Sequence, residues 1–235
     1  MRLSSLLPAL LVTLVATPPA AAQPAPAASQ SSEPIFIHAG TLLDRPGRPP
    51  RRNATIVVRD GRIESVQDGL VPPAAGARLI DLSDRFVLPG LIDSHVHLTS
   101  DRAGVEGQLA DITDSVPLRA YEAAWNARKT LDAGFTTVRN LGSENGVTLG
   151  LRDAIARGWA IGPRIVDAGT SISATTGHMD PTLGMREEFH DALLESGSTC
   201  DGADDCRRAV RRQIARGVDV IKIAATGGVN SRIGL

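Results

Sequence analysis

The stretch Val87-Leu-Pro-Gly-Leu-Ile-Asp-Ser-His-Val-His97 decides the fold of this chain. An apolar run broken by Pro-Gly leads into His95 and His97, whose spacing of two residues predicts a buried β-strand. Side chains alternate across a strand, so Asp93 and both histidines share one face. A helix would need a spacing of three or four residues to bring two imidazoles together. Two imidazoles on a rigid backbone, with a carboxylate nearby, predict a site for a divalent metal ion.

Lys222 is the second unusual residue. Lysine and arginine together number 25, but only Lys129 and Lys222 are lysine. Branched apolar residues flank Lys222 in the segment 218–224 and predict an interior strand. Burial lowers the pKa of a lysine, and a neutral amine can act as a base, as a Schiff-base nucleophile or as an acceptor of carbon dioxide. The alternative is a lysine that reaches from the strand end into a buried ion pair.

Six segments together resemble the metal-dependent amidohydrolase superfamily, in the branch similar to imidazolonepropionase and to exported Xaa-Pro dipeptidase-like hydrolases. The resemblance runs from about residue 35 to residue 230. The segments are VVRDGRIESV (57–66), VLPGLIDSHVHL (87–98), LDAGFTTVRNLG (131–142), GPRI (162–165), TTGHMD (175–180) and GVDVIKIAATGGV (217–229).

The resemblance implies a role for each residue of the metal site. His95 and His97 would bind the more buried metal, and Lys222, carrying a carbamate, would bridge two metals. Asp93 would lie behind the imidazoles and orient one of them. One or two Zn²⁺ ions would activate a water that hydrolyses an amide-type C–N bond in a dipeptide or another small-molecule amide.

The family pattern also requires histidines after barrel strands 5 and 6 and an aspartate, the base, after strand 8. This sequence ends just beyond strand 4, and the remaining histidines, His38, His178 and His190, all precede Lys222. We therefore expect the N-terminal half of a longer enzyme, which has no catalytic base of its own and is inactive alone. Two alternatives stay open. One is a non-catalytic exported fragment with a residual metal site, and the other is a cyclic-amide or lactone hydrolase on the same scaffold.

The order of elements predicts an α/β protein. Residues 34–86 read as short strands, including a hairpin around Asp60-Gly61, and form part of a small β-sandwich by the resemblance. Residues 87–235 alternate strands and helices, and the resemblance makes them about four units of a (β/α)8 TIM barrel. Active residues of such barrels follow the strands. The predicted elements are strands ending at 97 and spanning 136–139, 164–167 and 218–224, with helices over 117–132, 148–157 and 203–216.

A long polar loop at residues 170–190 carries His178. The loop lies on the catalytic side of the predicted barrel, which favours contact with substrate. There His178 would bind a substrate carboxylate or polarise a substrate carbonyl. The alternative is a loop histidine that is hydrogen-bonded to nearby backbone.

The N-terminus and the cysteines predict an exported protein. Residues 1–22 read as a signal peptide, and residues 23–33 as a disordered leader. We expect a periplasmic or secreted product without a stable membrane anchor. In an oxidising compartment Cys200 and Cys206 would form a local disulfide, and the alternative is two free thiols.

The composition of the chain limits the classes of binding partner to expect. The 235 residues are 42% hydrophobic and 3% aromatic, with a net charge of −1, and no basic surface indicates nucleic acid. The expected partners are a small-molecule substrate and either further copies of the chain or a missing C-terminal half.

Overall fold

The computed structural model describes residues 33–100, 102, 104–143, 146–194 and 197–227. The predicted signal peptide, most of the predicted leader and residues 228–235 lie outside this part of the chain. The chain divides into two compact units between Val87 and Leu88.

The smaller unit is a four-stranded sheet in the order β3-β2-β1-β4. Strand β1 pairs antiparallel with β2 and parallel with β4, and β2 pairs antiparallel with β3. Asp60 and Gly61 join β2 to β3 with φ angles of 51° and 72°, the conformation of a type I′ hairpin turn. The strands are β1 (Ile35–Leu42), β2 (Arg51–Arg59), β3 (Arg62–Asp68) and β4 (Arg78–Val87).

A buried apolar cluster of this unit contains Ala39, Leu42, Ala54 and Ile56. Residues 33–87 as described form this one sheet, so the second layer of a sandwich is not among them. His38 is structural here, since its Nε2 lies 2.8 Å from the carbonyl oxygen of Val71.

The larger unit has α/β architecture. Strands β5, β6 and β7 form a parallel sheet in that order, and a helix lies between each consecutive pair along the chain, as in βαβ units. A second, two-stranded parallel sheet joins β8 and β9. The strands are β5 (Leu91–Val96), β6 (Phe135–Asn140), β7 (Arg164–Asp167), β8 (Ile172–Ser173) and β9 (Ile223–Ala224). The helices are α1 (Gly104–Thr113), α2 (Val116–Asp132), α3 (Val147–Ala156), α4 (His190–Leu194) and α5 (Gly202–Ala215), with a 3-10 turn at Glu187–Phe189.

Helix α2 shows how the sequence builds this unit. Ser115 caps it by accepting a hydrogen bond from the main-chain N–H of Leu118, and a proline occupies its first turn, where no N–H is needed. It ends before Gly134, whose φ of 95° is a conformation that other residues rarely adopt. The helix buries small residues against the sheet, in a core of Leu98, Ala123, Ala127, Val138, Val147, Leu151 and Ile165.

Two predictions about strands are wrong, one about burial and one about length. Strand β5 exists, but it is not buried: it pairs with β6 on one side only among the described residues, and Ile92 is 72% exposed. The predicted strand over 218–224 shrinks to β9, and Lys222 lies just before it, half-buried. Asp219 and Val220 instead donate their main-chain N–H groups to one acceptor, the carbonyl oxygen of Asp167, which is not a ladder pattern.

Candidate metal centre

His95 and His97 converge at the end of β5. Their Nε2 atoms lie 3.3 Å apart, with the rings inclined at 58° to each other. Two nitrogen ligands on a tetrahedral zinc ion, at bonds of about 2.0–2.1 Å, are about 3.3–3.4 Å apart. The pair therefore already has the separation of two adjacent metal ligands. In the metal-free protein the same geometry is a hydrogen bond between the rings.

His97 is held from its other nitrogen. Its Nδ1 lies 3.2 Å from the carbonyl oxygen of Gly142, so Nδ1 carries the proton and Nε2 presents a lone pair. Burial lowers the pKa of the His97 imidazole, against the effect of this hydrogen bond, and the positive charges of His95, Lys222 and His178 lower it further. The lowered pKa favours the neutral ring, which is the form that binds a metal.

Asn140, at the end of β6, fixes the chain beside His97. Its position after a strand predicts that it faces the site, but the sequence assigns it no definite role. It is fully buried, and its Oδ1 accepts a hydrogen bond from the main-chain N–H of Leu98 at 3.0 Å. Its Nδ2 lies 3.1 Å from the Thr148 hydroxyl and 3.3 Å from the Asp167 carboxylate. A buried amide needs partners on both its oxygen and its nitrogen. The available signal was an asparagine at the end of a strand that is rich in β-branched residues.

The Asp93 carboxylate has a different partner from the one expected. Its Oδ1 accepts a hydrogen bond of 2.9 Å from the main-chain N–H of His95. Among the described residues no hydrogen bond joins it to an imidazole. It shapes the backbone at the first histidine because a two-residue side-chain to backbone bond closes a tight local loop.

Lys222 approaches the histidines from a separate segment. Its carbonyl oxygen accepts a hydrogen bond from Ile172 N–H at 3.0 Å, which aligns it with β8. Its charge acts on His97, so the structure brings these two predicted residues to one region. Among the described residues, no group of three or more His, Cys, Asp or Glu side chains is arranged to hold a metal ion. A complete metal site thus needs Lys222 or ligands beyond this part of the chain.

His178 lies on a loop that is fastened by Asp180. The Asp180 carboxylate accepts hydrogen bonds from the main-chain N–H groups of Thr176 and Thr182, at 2.7 and 2.8 Å. His178 itself is half-buried, and its Nδ1 is buried without a hydrogen-bond partner among the described residues. The nearby-backbone bond that was the alternative for this histidine is therefore not formed at Nδ1.

Cys200 and Cys206 are joined in a disulfide at the start of α5. The bridge belongs to a small apolar cluster that also contains Ile172, Ala209 and Ile221. Because Ile172 and Ile221 flank the Lys222 segment, the bridge supports the lysine side of the site. His190 has a different partner, since its Nε2 lies 3.3 Å from the carbonyl oxygen of Met185.

A cavity of about 210 Å³ opens beside His97. Its lining is mainly polar, with hydroxyl groups from several loops. Two charged side chains, Asp114 and Arg119, also reach it, and each has an ion-pair partner: Arg102 for Asp114 and Glu122 for Arg119. The remaining lining residues are Thr99, Ser100, Val116, Gly142, Ser143, Val147, Thr170, Ser171, Met179 and Ser198.

Comparison with known proteins identifies the family. The model of the amidohydrolase family matches residues 86–235, which include the histidine pair and Lys222. The chain belongs to the amidohydrolase family. Its relatives within that family are hydrolases of C–N bonds.

Three proteins illustrate what this member of the amidohydrolase family is similar to. Ochratoxinase from Aspergillus niger is 32% identical over 222 residues, covering 88% of this chain and 45% of the relative. Dihydroorotase from Anaeromyxobacter sp. (strain K) is 37% identical over 109 residues, covering 46% of this chain and 21% of the relative. The crystal structure of a Xaa-Pro dipeptidase with methionine bound in its active site superposes with a TM-score of 0.78 at 36% identity, covering 85% of this chain and 48% of that chain. The chain thus spans about half the length of the ochratoxinase and about half the length of the Xaa-Pro dipeptidase.

Among the described residues, no helix combines the length and the apolar character needed to cross a membrane.

Proposed function

We propose that this chain is part of a metal-dependent hydrolase of amide-type C–N bonds, with His95, His97 and a carboxylated Lys222 as its metal ligands. The observation that carries the proposal is the 3.3 Å separation of the two Nε2 atoms, combined with the hydrogen bond from His97 Nδ1 to Gly142. An imidazole whose far nitrogen donates to a carbonyl is the usual form of a metal-bound histidine. Divalent metals are general in the amidohydrolase family.

The lysine supplies what the histidine pair lacks. Its amine adds to the carbon of carbon dioxide and loses one proton, which leaves a carbamate with two oxygens. That product is an anion, whose two oxygens can bind a cation. A divalent metal bound there, zinc in this proposal, would lower the pKa of a coordinated water and polarise the scissile carbonyl.

The residues of this chain have distinct tasks in the proposed reaction. Gly142 and Asn140 hold the His97 segment, and Asp93 holds the backbone at His95. His178, whose Nδ1 lacks a partner among the described residues, would bind a substrate carboxylate or carbonyl. The proton-transferring base and further ligands would come from a C-terminal half, which would also complete the (β/α)8 barrel and the β-sandwich.

The lining of the cavity beside His97 favours a polar substrate. Its hydroxyl lining suits the amide and carboxylate groups of a dipeptide. The likeness to a Xaa-Pro dipeptidase supports dipeptides as the first substrate class to test. The match to dihydroorotase supports a second candidate, hydrolysis of a cyclic amide. Export to the periplasm, after removal of residues 1–22, remains part of the proposal.

The test is metal content and turnover of the full-length protein. We expect one or two zinc ions per chain and hydrolysis of Xaa-Pro dipeptides or N-acyl amino acids. His97→Ala should remove the metal and lower kcat/KM by at least about 10³-fold. His190→Ala is the matched control, because the hydrogen bond that His190 makes among the described residues is to a loop carbonyl, and it should leave both unchanged.

Full metal content and turnover in the His97→Ala variant would refute the proposal. Turnover confined to dihydroorotate-like cyclic amides would replace the dipeptide assignment with the second candidate. Residues 23–235 alone should show no turnover, since the base is expected elsewhere, and metal-dependent hydrolysis by that piece would contradict the expected division of the site.

A further inference from the structure

Gly142 stands against the imidazole ring of His97. A methyl group placed on its Cα would lie 3.0 Å from Cε1 and 3.1 Å from Nδ1 of that ring, and 2.9 Å from the Ser171 hydroxyl. Carbon atoms in van der Waals contact prefer about 3.5–4.0 Å. The φ angle of Gly142 is not in the left-handed region, so the backbone conformation itself would accept alanine. What the position lacks is space on the side of His97.

The main chain at this point cannot easily move away. On one side, Leu141 donates its N–H to the carbonyl oxygen of Val96 at 3.0 Å, and its own carbonyl accepts from the Ser171 hydroxyl at 2.7 Å. On the other side, Ser143 donates its N–H to the carbonyl oxygen of Gly169 at 2.9 Å. Gly142 is thus held between three hydrogen bonds that tie it to neighbouring segments. An added methyl group would displace the imidazole or the Ser171 side chain instead.

We propose that Gly142 is a positioning residue for His97, because its missing side chain lets the ring lie against the main chain while its carbonyl fixes the Nδ1 proton. The two effects act together, since the ring must come close to the main chain for Nδ1 to reach the carbonyl oxygen. His97 Nε2 is thereby directed to the point where His95 Nε2 also ends. The inference rests on the proposed function only where it concerns metal affinity; the placement of the ring is independent of it.

The test compares Gly142→Ala with Gly150→Ala in the full-length protein. Gly150 lies in α3, where an added methyl group meets nothing within 4 Å, so this variant adds the same group without a clash. Zinc affinity, measured by competition with a chelator, should fall about 10- to 100-fold in Gly142→Ala and stay unchanged in Gly150→Ala. The visible absorption of the cobalt-substituted protein should change only in Gly142→Ala.

A third variant separates the two clashes. Gly142→Ala combined with Ser171→Ala removes the hydroxyl contact and keeps the contacts with the ring. Affinity should stay low if His97 is displaced, and recovery of wild-type affinity would overturn the proposal. Nitrogen-15 NMR of the metal-free histidines gives a readout that needs no metal. The His97 Nδ1–H signal should shift in Gly142→Ala, and an unchanged signal would overturn the proposal.

The same measurements distinguish a failure of the proposed function. If the wild-type protein binds no zinc but its His97 signal still depends on Gly142, the metal assignment fails and the positioning role stands. If the wild-type protein binds zinc and Gly142→Ala matches it in affinity and spectra, the positioning role fails alone.

Discussion

His97 and Lys222 represent two ends of the candidate metal centre, and the protein holds them in different ways. At the histidine end, the ring bonds to the Gly142 carbonyl and the next residue bonds to the buried side chain of Asn140. At the lysine end, only the main-chain carbonyl of Lys222 is tied, to Ile172, and no hydrogen bond reaches its Nζ among the described residues. One end is organised by the fold before any ligand binds. In the proposed enzyme, carboxylation and a metal ion would fix the other end.

Removal of the Asn140 side chain should have the largest effect. Asn140→Ala leaves the Leu98 N–H without its acceptor and removes one donor from the Thr148 hydroxyl and one from the Asp167 carboxylate, which keeps the hydrogen bond from Gly169 N–H. We expect the free energy of unfolding of the metal-free protein to fall by about 3 kcal/mol, measured by chemical denaturation. Gln67→Ala, an exposed amide, is the control. A loss below about 1 kcal/mol would show that the histidine end is not held by this network.

Removal of the disulfide should have the second-largest effect, and it should act at the lysine end of the candidate metal centre. Cys200→Ser with Cys206→Ser opens a loop with a sequence separation of 6, which should cost about 2 kcal/mol. Hydrogen exchange should accelerate at the Ile172 amide, which donates to Lys222, and not at the Leu141 amide, which donates to Val96. Equal acceleration at both amides would mean that the two ends are not separately held.

Asp180 gives a pH-dependent prediction for the loop that carries His178. Burial pushes the pKa of its carboxyl up, but hydrogen bonds from the Thr182 hydroxyl and from the main chain of Thr176 and Thr182 outweigh it and lower the pKa. Asp180→Asn should therefore cost about 1–2 kcal/mol at neutral pH.

A lowered pKa in the folded state adds stability above the unfolded pKa of about 3.9, and this stability is lost as the pH falls through the folded value. The gap in unfolding free energy between wild type and Asp180→Asn should thus be constant from neutral pH to about pH 5 and shrink below about pH 4. A gap that persists unchanged at about pH 3 would contradict this account.

Lys222→Met should have the smallest effect on folding. The side chain is half-buried and makes no hydrogen bond among the described residues, so the metal-free protein should change by less than about 0.5 kcal/mol. Metal content should nevertheless fall, because the carbamate cannot form. A large loss of metal-free stability would show that the lysine end is as firmly organised as the histidine end.

Much of the local structure followed from the sequence. The strand at 164–167 has the predicted limits, and β6, α2, α3 and α5 lie within about one residue of theirs. Turn and cap residues explain this success, because Asp60-Gly61, Ser115 and Gly134 act through local backbone geometry. Helix α1 was missed, since its sequence has neither a strong cap nor a clear apolar stripe.

The burial of the strands and the hydrogen-bond partners of the site residues could not be predicted from the sequence. The apolar run before His95 reads as an interior strand, yet β5 is exposed, because burial depends on which strands cover it and not on its own residues. The segment around Lys222 has a strand-like composition, but its N–H groups go to Asp167 instead of a ladder. Two partners of the Asn140 side chain, Asp167 and Leu98, are 27 and 42 positions away in sequence, which no local pattern records.

The contacts that hold His97 also have a consequence for the order of events during synthesis. They all come from the chain between Val96 and Ser171. Chains emerge from the ribosome N-terminus first, at about 5–20 residues per second. The described residues that hold the histidine ring have therefore been made several seconds before Lys222 is added. The contacts of one proposed ligand can thus form before the other proposed ligand has been synthesised.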